Sequence, residues 1–204
     1  MLDLVRFWPL DAMRVINAYV LAHAQQLPDG RLSGLQDAIA LIRSYFLGLP
    51  SSLEETLQLL NQLDSRSFEH LVDELYRSMR YETRLTPVRK DGGRDIDATR
   101  EDRGHRTSLR IECKNWSRPV GVEEVRALYG VIEDEKIEKG LIVGTRGFTS
   151  RGPTTAAAFA ARNSRLELVP GERLVRMLSE LFGRGWPSRV DQLIDQSKVR
   201  QATH

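Results

Sequence analysis

Two acids and a lysine, Asp95, Glu112 and Lys114, stand close along DGGRDIDATREDRGHRTSLRIECKNW, residues 91–116. The stretch reads as two strands joined by a polar turn, EDRGH. Side chains alternate across a strand with period two. In LRIECKN, Leu109, Ile111 and Cys113 therefore share one face, and Arg110, Glu112 and Lys114 share the other. The apolar set, Cys113 included, is expected in the core. In RDID, Asp95 and Asp97 share a face and Ile96 turns away. A hairpin can set Asp95 beside Glu112, where two carboxylates repel unless a positive charge lies between them. A divalent metal ion supplies that charge, and Mg²⁺ is usually held by one or two carboxylates and several waters. Such a site suits phosphodiester hydrolysis. The metal polarises a phosphate oxygen and lowers the pKa of a bound water. A nearby lysine ammonium orients the attacking water or offsets developing charge. Gly92 and Gly93 permit a tight turn and close approach of a substrate. A salt-bridged hairpin, with Lys114 paired to Glu112 or Asp95, accounts for the same residues without chemistry, and spacing alone leaves both readings open.

These residues need elements to hold them. Phe68, Leu71, Val72, Leu75, Tyr76 and Met79 make one apolar stripe, predicting a helix from about Ser65 to Arg80. Three strands follow, in YETRLTPVR, RDIDATR and RTSLRIECKN, the last two forming the hairpin. A helix is expected from about Val122 to Glu138, a buried strand in GLIVGT (140–145), and an alanine-rich helix at 153–162. LELV (166–169) reads as another strand and GERLVRMLSELF as a closing helix. This order implies an α/β unit over 64–183, a mixed sheet flanked by helices. Residues 1–63 read as a separate helical region. Met13, Ile16, Val20 and Ala24 recur at helical spacing, as do Leu35, Ile39, Ile42 and Phe46, with PDGRLSG (28–34) as the turn between them. Ser52 and Glu55 form a capping-box pattern ahead of Leu53, Leu57 and Leu60. The tail, 184–204, is expected to hold one short helix around Val190 to Ile194 and otherwise to hang loosely.

A chain of 204 residues with 41% hydrophobic and 28% charged residues is a globular protein of ordinary composition. A single cysteine excludes an internal disulfide framework and zinc sites built on several cysteines. It fits a reducing compartment. No apolar run approaches the ~20 residues that span a bilayer. MLDLVRFWPL lacks the apolar core and cleavage site of a signal peptide, so a cytoplasmic protein without a membrane partner is expected. The net charge of +2 is small, but residues 84–118 hold ten Arg or Lys against six Asp or Glu. That local excess suits phosphates, whose neutralisation releases counterions. A solvated basic hairpin has the same charge.

DGGRDID followed by IECKN resembles the two halves of the PD-(D/E)xK nuclease motif, and more narrowly the Mrr-like restriction endonuclease catalytic domain. FEHLVDELYRSMRYE, VGVEEVRALYGV, GLIVGTRGFTSRG and LVPGERLVRML extend the resemblance from about Phe68 to Leu178. It implies a restriction-endonuclease-like fold and a Mg²⁺-dependent DNA endonuclease, with Mn²⁺ able to substitute. By position it makes Asp95 and Glu112 metal ligands, the Cys113 carbonyl an extra ligand and Lys114 the catalytic lysine. Mrr-like members often carry glutamine where this chain has Glu112; the acid restores a full carboxylate pair. The separate DNA-reading domain common in such enzymes is not visible in residues 1–63.

Secondary candidates surround this set. Glu69, on the first helix of the unit, matches an acid that reaches the metal site in related nucleases; otherwise it is a boundary acid. His70 beside it is expected to be solvated. Asp97 is a candidate supporting group, and Asp91 is expected to shape its turn. Arg94 and Arg110 bind phosphates or balance local charge. Trp116 stacks on a base or simply packs. Arg146, Thr149 and Arg151 are candidates for DNA-backbone contact. The leading expectation is a DNA endonuclease of restriction or defence, acting as a homodimer or with a targeting or activating partner bound through the N-terminal helices. A non-cleaving nucleic-acid-binding or assembly module of the same fold and a structure-selective repair or junction nuclease are the alternatives.

Overall fold

The computed structural model describes residues 7–46, 52–86, 95–102 and 104–202, with Val5 and Pro50. Asp91, Gly92, Gly93 and Arg94 lie outside the described residues.

Helix α1 spans Pro9–His23 and α2 spans Asp29–Phe46. Ala12, Ile16 and Ile42 are buried between them, with Met13, Val20, Leu35 and Ile39 around these, so the expected stripes face each other up to Val20 and Ile42; Ala24 is exposed and the Phe46 side chain lies outside the described residues. The turn between them is shorter than PDGRLSG suggests. Arg31 and Leu32 N–H groups already bond to the Pro28 carbonyl, at 2.9 and 3.1 Å. Asp29 stands in the first turn, where the helix dipole favours an acid. Gly30 and Gly34 are absorbed into the helix at a cost of about 1 kcal/mol each.

Helix α3 (Leu53–Gln62) starts on the expected cap, with the Ser52 side chain accepting from the Glu55 N–H. Helix α4 (Ser65–Ser78) starts on Asp64, which accepts from the Ser67 N–H. A five-stranded sheet follows, built from β1 (Glu82–Leu85), β2 (Ile96–Asp102), β3 (His105–Lys114), β4 (Lys139–Gly144) and β5 (Leu166–Pro170). The strands lie in sequence order, with β1, β2 and β3 antiparallel and β3, β4 and β5 parallel. Helices α5 (Val122–Asp134) and α6 (Ala156–Ala161) make the parallel crossovers, and α7 (Gly171–Phe182) follows β5. The mixed sheet flanked by helices is the expected architecture.

Alternation along β4 separates two cores. Leu141 and Val143 join Ile96, Ala98, Leu109 and Ile111 under α4 and α7, whereas Ile142 joins Val125, Leu128 and Ile132 of α5. Leu60 of α3 is fully buried in the first core. Helix α3 thus packs with the α/β unit, although it was grouped with the N-terminal region by sequence.

The tail is not loose. A 3₁₀ turn (Trp186–Arg189) leads into α8 (Val190–Gln201), and Trp186, Val190, Leu193 and Ile194 are buried in the main core. Polar bonds fix the helix too. Ser197 Oγ donates to Asp73 at 2.6 Å and lies 2.8 Å from His70 Nδ1. The Gln201 amide accepts from the Leu85 N–H and donates to the Thr83 carbonyl, at 3.2 and 3.3 Å, so it pairs with the free edge of β1 like a strand. These anchors were hidden in a mostly polar sequence because each is a single residue whose partner lies over a hundred positions away. Deleting residues 184–204 removes burial of four large apolar side chains, roughly 6–12 kcal/mol at ordinary values. That equals most of a domain's stability. The truncated chain is expected to lose its cooperative thermal transition by circular dichroism.

Candidate active site

Strand β3 carries Glu112 and Lys114 on the face opposite Leu109 and Ile111. Lys114 Nζ lies 2.9 Å from Glu112 Oε1, and the side chains are only 13% and 4% exposed. Asp95 stands just ahead of β2. Its N–H donates to the Ile111 carbonyl at 3.1 Å, and its Oδ2 accepts from the Cys113 N–H at 2.5 Å. With Ile96 paired to Ile111, this sets Asp95 across from Glu112. On the far side, the Thr86 N–H donates to the Asp95 carbonyl at 2.9 Å.

Glu69 is half-buried on α4 and paired with Arg66 at 2.6 Å. Arg66 also reaches the Thr86 carbonyl at 3.4 Å. Arg66 is a site residue that sequence reading missed; its i, i+3 spacing from Glu69 was the available signal.

Burial pushes the Glu112 carboxyl up to about 7, against the pull of Lys114 and with a further push from Asp95. Burial also raises Asp95, against the Cys113 N–H bond and Lys114, and raises Glu69, where Asp95 adds to the push. Burial is thus the main cause at all three carboxyls, and Asp95 adds a smaller like-charge push on Glu112 and Glu69. Glu112 Oε2 is buried and has no hydrogen-bond partner among the described residues. Such an orphaned oxygen costs free energy unless something electropositive meets it. Two carboxylates, one with an unused buried oxygen, are a donor set that fits a hard cation with retained waters. Among the described residues no group of three His, Cys, Asp or Glu side chains forms a ready-made metal cage.

The remaining candidates separate. Cys113 packs against the main core, and burial pushes its thiol well up, as its face on β3 required. Arg110 Nε lies 3.1 Å from Asp97 and 3.0 Å from Glu135, with the side chain only 14% exposed. Arg110 thus hydrogen-bonds Glu135 and is in charge balance with Asp97, whose Oδ1 is buried without a hydrogen-bond partner among the described residues. His70 is buried, not solvated as expected, because α8 covers it. Trp116 is half-buried, with Lys114 Nζ 5.1 Å and the Arg118 guanidinium 4.6 Å from its ring centre. Arg146 and Arg151 are exposed and make no ion pair among the described residues. Their loop is held by the Val120 N–H donating to the Gly147 carbonyl and the Thr149 N–H donating to the Val120 carbonyl, and Thr149 Oγ1 accepts from the Ala156 N–H at 3.0 Å. It starts at the end of β4, where Gly144 pairs with Lys114.

Residues 60–178 match the Mrr_cat family, described as restriction endonuclease. This chain belongs to that family. The matched Mrr_cat segment runs from α3 into α7 and contains Glu69, Asp95, Glu112, Cys113, Lys114, Arg146 and Arg151. The Mrr_cat chain is 29% identical over 165 residues to the type IV methyl-directed restriction enzyme EcoKMrr of Escherichia coli, covering 77% of this chain and 49% of that one. It is 34% identical over 112 residues to the uncharacterized protein y4cE of Sinorhizobium fredii, covering 54% and 29%. Among solved structures, the DNA modification-dependent restriction endonuclease AspBHI is similar in fold, with a TM-score of 0.55 and 21% identity over 74% of this chain and 41% of that one. The Mrr_cat chain spans less than half the length of each of these proteins. No helix among the described residues is long and apolar enough to cross a membrane.

Proposed function

We propose that this chain is the catalytic domain of a Mg²⁺-dependent DNA endonuclease acting in restriction or defence against foreign DNA. The observation that carries the reading is the meeting of Asp95, Glu112 and Lys114 at the start of β2 and the end of β3, with Glu112 Oε2 buried and without a hydrogen-bond partner among the described residues. Asp95, Glu112 and the Cys113 carbonyl would hold the metal. Bound there, Mg²⁺ or Mn²⁺ would supply a Lewis acid for a phosphate oxygen and a more acidic water. Lys114 orients the nucleophile and offsets charge on the phosphate. Glu69, paired with Arg66, would accept a hydrogen bond from a water in the site. The relatives' names include methyl-directed and modification-dependent enzymes, which makes methylated DNA the first substrate to compare with unmethylated DNA.

The test is cleavage of methylated and unmethylated supercoiled plasmid with Mg²⁺, Mn²⁺ or EDTA. Metal-dependent nicking or linearisation is expected. Binding of DNA with no metal uptake by calorimetry would overturn the reading in favour of a non-cleaving binding module. The closed Glu112–Lys114 pair, which already joins two of the three groups, is the observation that favours that module.

Arg146 and Arg151 serve as phosphate contacts in the same proposal, because both are exposed, without an ion pair among the described residues, on a braced loop that starts at the end of β4. Arg146→Ala with Arg151→Ala is expected to weaken binding uniformly across DNA sequences. It should lower the slope of log affinity against log salt by about two. Fluorescence anisotropy over a salt series checks it. The N-terminal helices, which expose Trp8, Val15 and Tyr19, remain the proposed surface for a dimer or targeting partner. Light scattering showing a fully active monomer would rule out the dimer.

A further inference from the structure

Asn115 directly follows Lys114, where β3 ends. Its Nδ2 donates to the carbonyls of Leu60 and Leu63, at 3.0 and 2.7 Å. These carbonyls belong to the last turn and cap of α3, where a helix leaves its acceptors short of partners. Asn115 Oδ1 accepts from Thr145 Oγ1 at 3.0 Å. Thr145 is 3% exposed, and its own N–H donates to the Lys114 carbonyl at 3.2 Å. Both ends of the Asn115 amide are engaged. A flipped amide would set its oxygen against two carbonyl oxygens, so the network allows one orientation.

Strand pairing fixes Glu112 against Asp95, because both stand one residue beyond the Ile96–Ile111 pair and the Asp95 N–H bonds the Ile111 carbonyl. It does not fix Lys114 against α4, which brings Arg66 and Glu69. Leu63 and Asp64 are the only residues between α3 and α4, and the Asn115 bonds land on that junction. Thr145 is braced from behind. A Cβ on Gly171, at the start of α7, would come within 2.5 Å of the Thr145 carbonyl oxygen. The Thr145 backbone is therefore tightly packed against α7.

We propose that Asn115 and Thr145 form a positioning latch that holds Lys114 in register with Glu69 and Arg66 on α4. This inference rests on the hydrolytic reading of the site. An ordinary helix cap would affect melting alone. A latch affects the placement of Lys114, and it depends on the Thr145 hydroxyl.

Thr145→Val removes the hydroxyl, Thr145→Ser keeps it, and Asn115→Asp keeps the acceptor while setting a carboxylate against two carbonyls. Three readouts separate the roles: melting temperature, plasmid-cleavage kcat and KM, and acetylation of Lys114 relative to exposed Lys198 by mass spectrometry in the metal-free, DNA-free protein. In Thr145→Val and Asn115→Asp, kcat is expected to fall about tenfold to a hundredfold with KM unchanged, as for a small misplacement of a reacting group. Lys114, now protected, should acetylate faster in both, and Thr145→Ser should match wild type in every readout. Should Thr145→Val not fold, Asn115→Asp carries the same comparison. Wild-type labelling of Lys114 in a folded Thr145→Val or Asn115→Asp protein would overturn the latch, whether or not the enzyme cleaves. A wild-type protein that never cleaves, with faster Lys114 labelling in the variants, would defeat the hydrolytic reading and leave the latch standing.

Discussion

Lys114→Ala is expected to lower plasmid cleavage by about a hundredfold or more, the cost of removing one charge-stabilising group from a buried site. DNA affinity should change little, because Lys114 is buried beside Glu112 and adds little to the exposed basic surface. Time courses of nicked and linear plasmid with Mg²⁺, run beside a binding titration, check both halves. Wild-type cleavage by the variant would place the chemistry elsewhere. The substitution also touches the fold. Removing one partner of a buried ion pair costs about 3–5 kcal/mol when the other stays charged. Here Glu112 has an escape, since its carboxyl already titrates near 7 and takes up a proton instead. The variant should therefore melt close to wild type at pH 6 and well below it at pH 9. Glu112→Gln combined with Lys114→Ala should remove that pH-dependent loss while leaving cleavage abolished. A double variant that melts as poorly as Lys114→Ala at high pH would show that the loss arises from packing.

The second large effect concerns the metal-free protein. Glu112 is raised from an ordinary value of 4.5 to about 7, chiefly by burial. A carboxyl whose pKa is higher folded than unfolded holds its proton more tightly in the folded state. Between pH 4.5 and 7 the folded chain thus binds more protons than the unfolded one, and stability falls as pH rises. The shift corresponds to about 3 kcal/mol over that window, at 1.36 kcal/mol per unit. Asp95 and Glu69 are raised too, and act in the same direction. Urea unfolding in EDTA across this range is expected to show the decline, and Glu112→Gln should flatten most of it. Added Mg²⁺ should stabilise the wild type more at pH 8 than at pH 5.5, since a cation competes with the proton for the same carboxylate. A flat wild-type profile would mean that the Glu112 carboxyl is solvated.

The chemistry-bearing residues were legible in the sequence because strand periodicity acts over two residues. Alternation in LRIECKN put Glu112 and Lys114 on one face and Cys113 on the other, and the turn EDRGH made the hairpin that brings Asp95 across. The stripe from Phe68 to Met79 and the apolar runs of β4 and β5 fixed the α/β order for the same local reason. Glu69 was reachable only through its resemblance to a family pattern, since one acid beside an apolar stripe has no local signature.

Long-range partners were not legible. Arg110 looked as fit for phosphate as any other arginine of the basic stretch until Asp97 and Glu135 were found on either side of it. His70 looked solvated until α8 covered it. The tail looked loose because its anchors are spread among polar residues: Ser197, Arg200 and Gln201 meet α4 and β1, and Trp186 enters the main core, only after the chain has closed. Asn115 gave no sign of gripping the end of α3. The sequence alone determined which side chains could do chemistry, on which faces they stand, and in what order the elements run, because these follow from periodicity within a few residues. Tertiary structure alone decided which charges are already spent on one another, which buried carboxyl oxygens lack a hydrogen-bond partner among the described residues, and what lies against Lys114. Those depend on burial and on contacts between segments far apart in the chain, which no local pattern encodes.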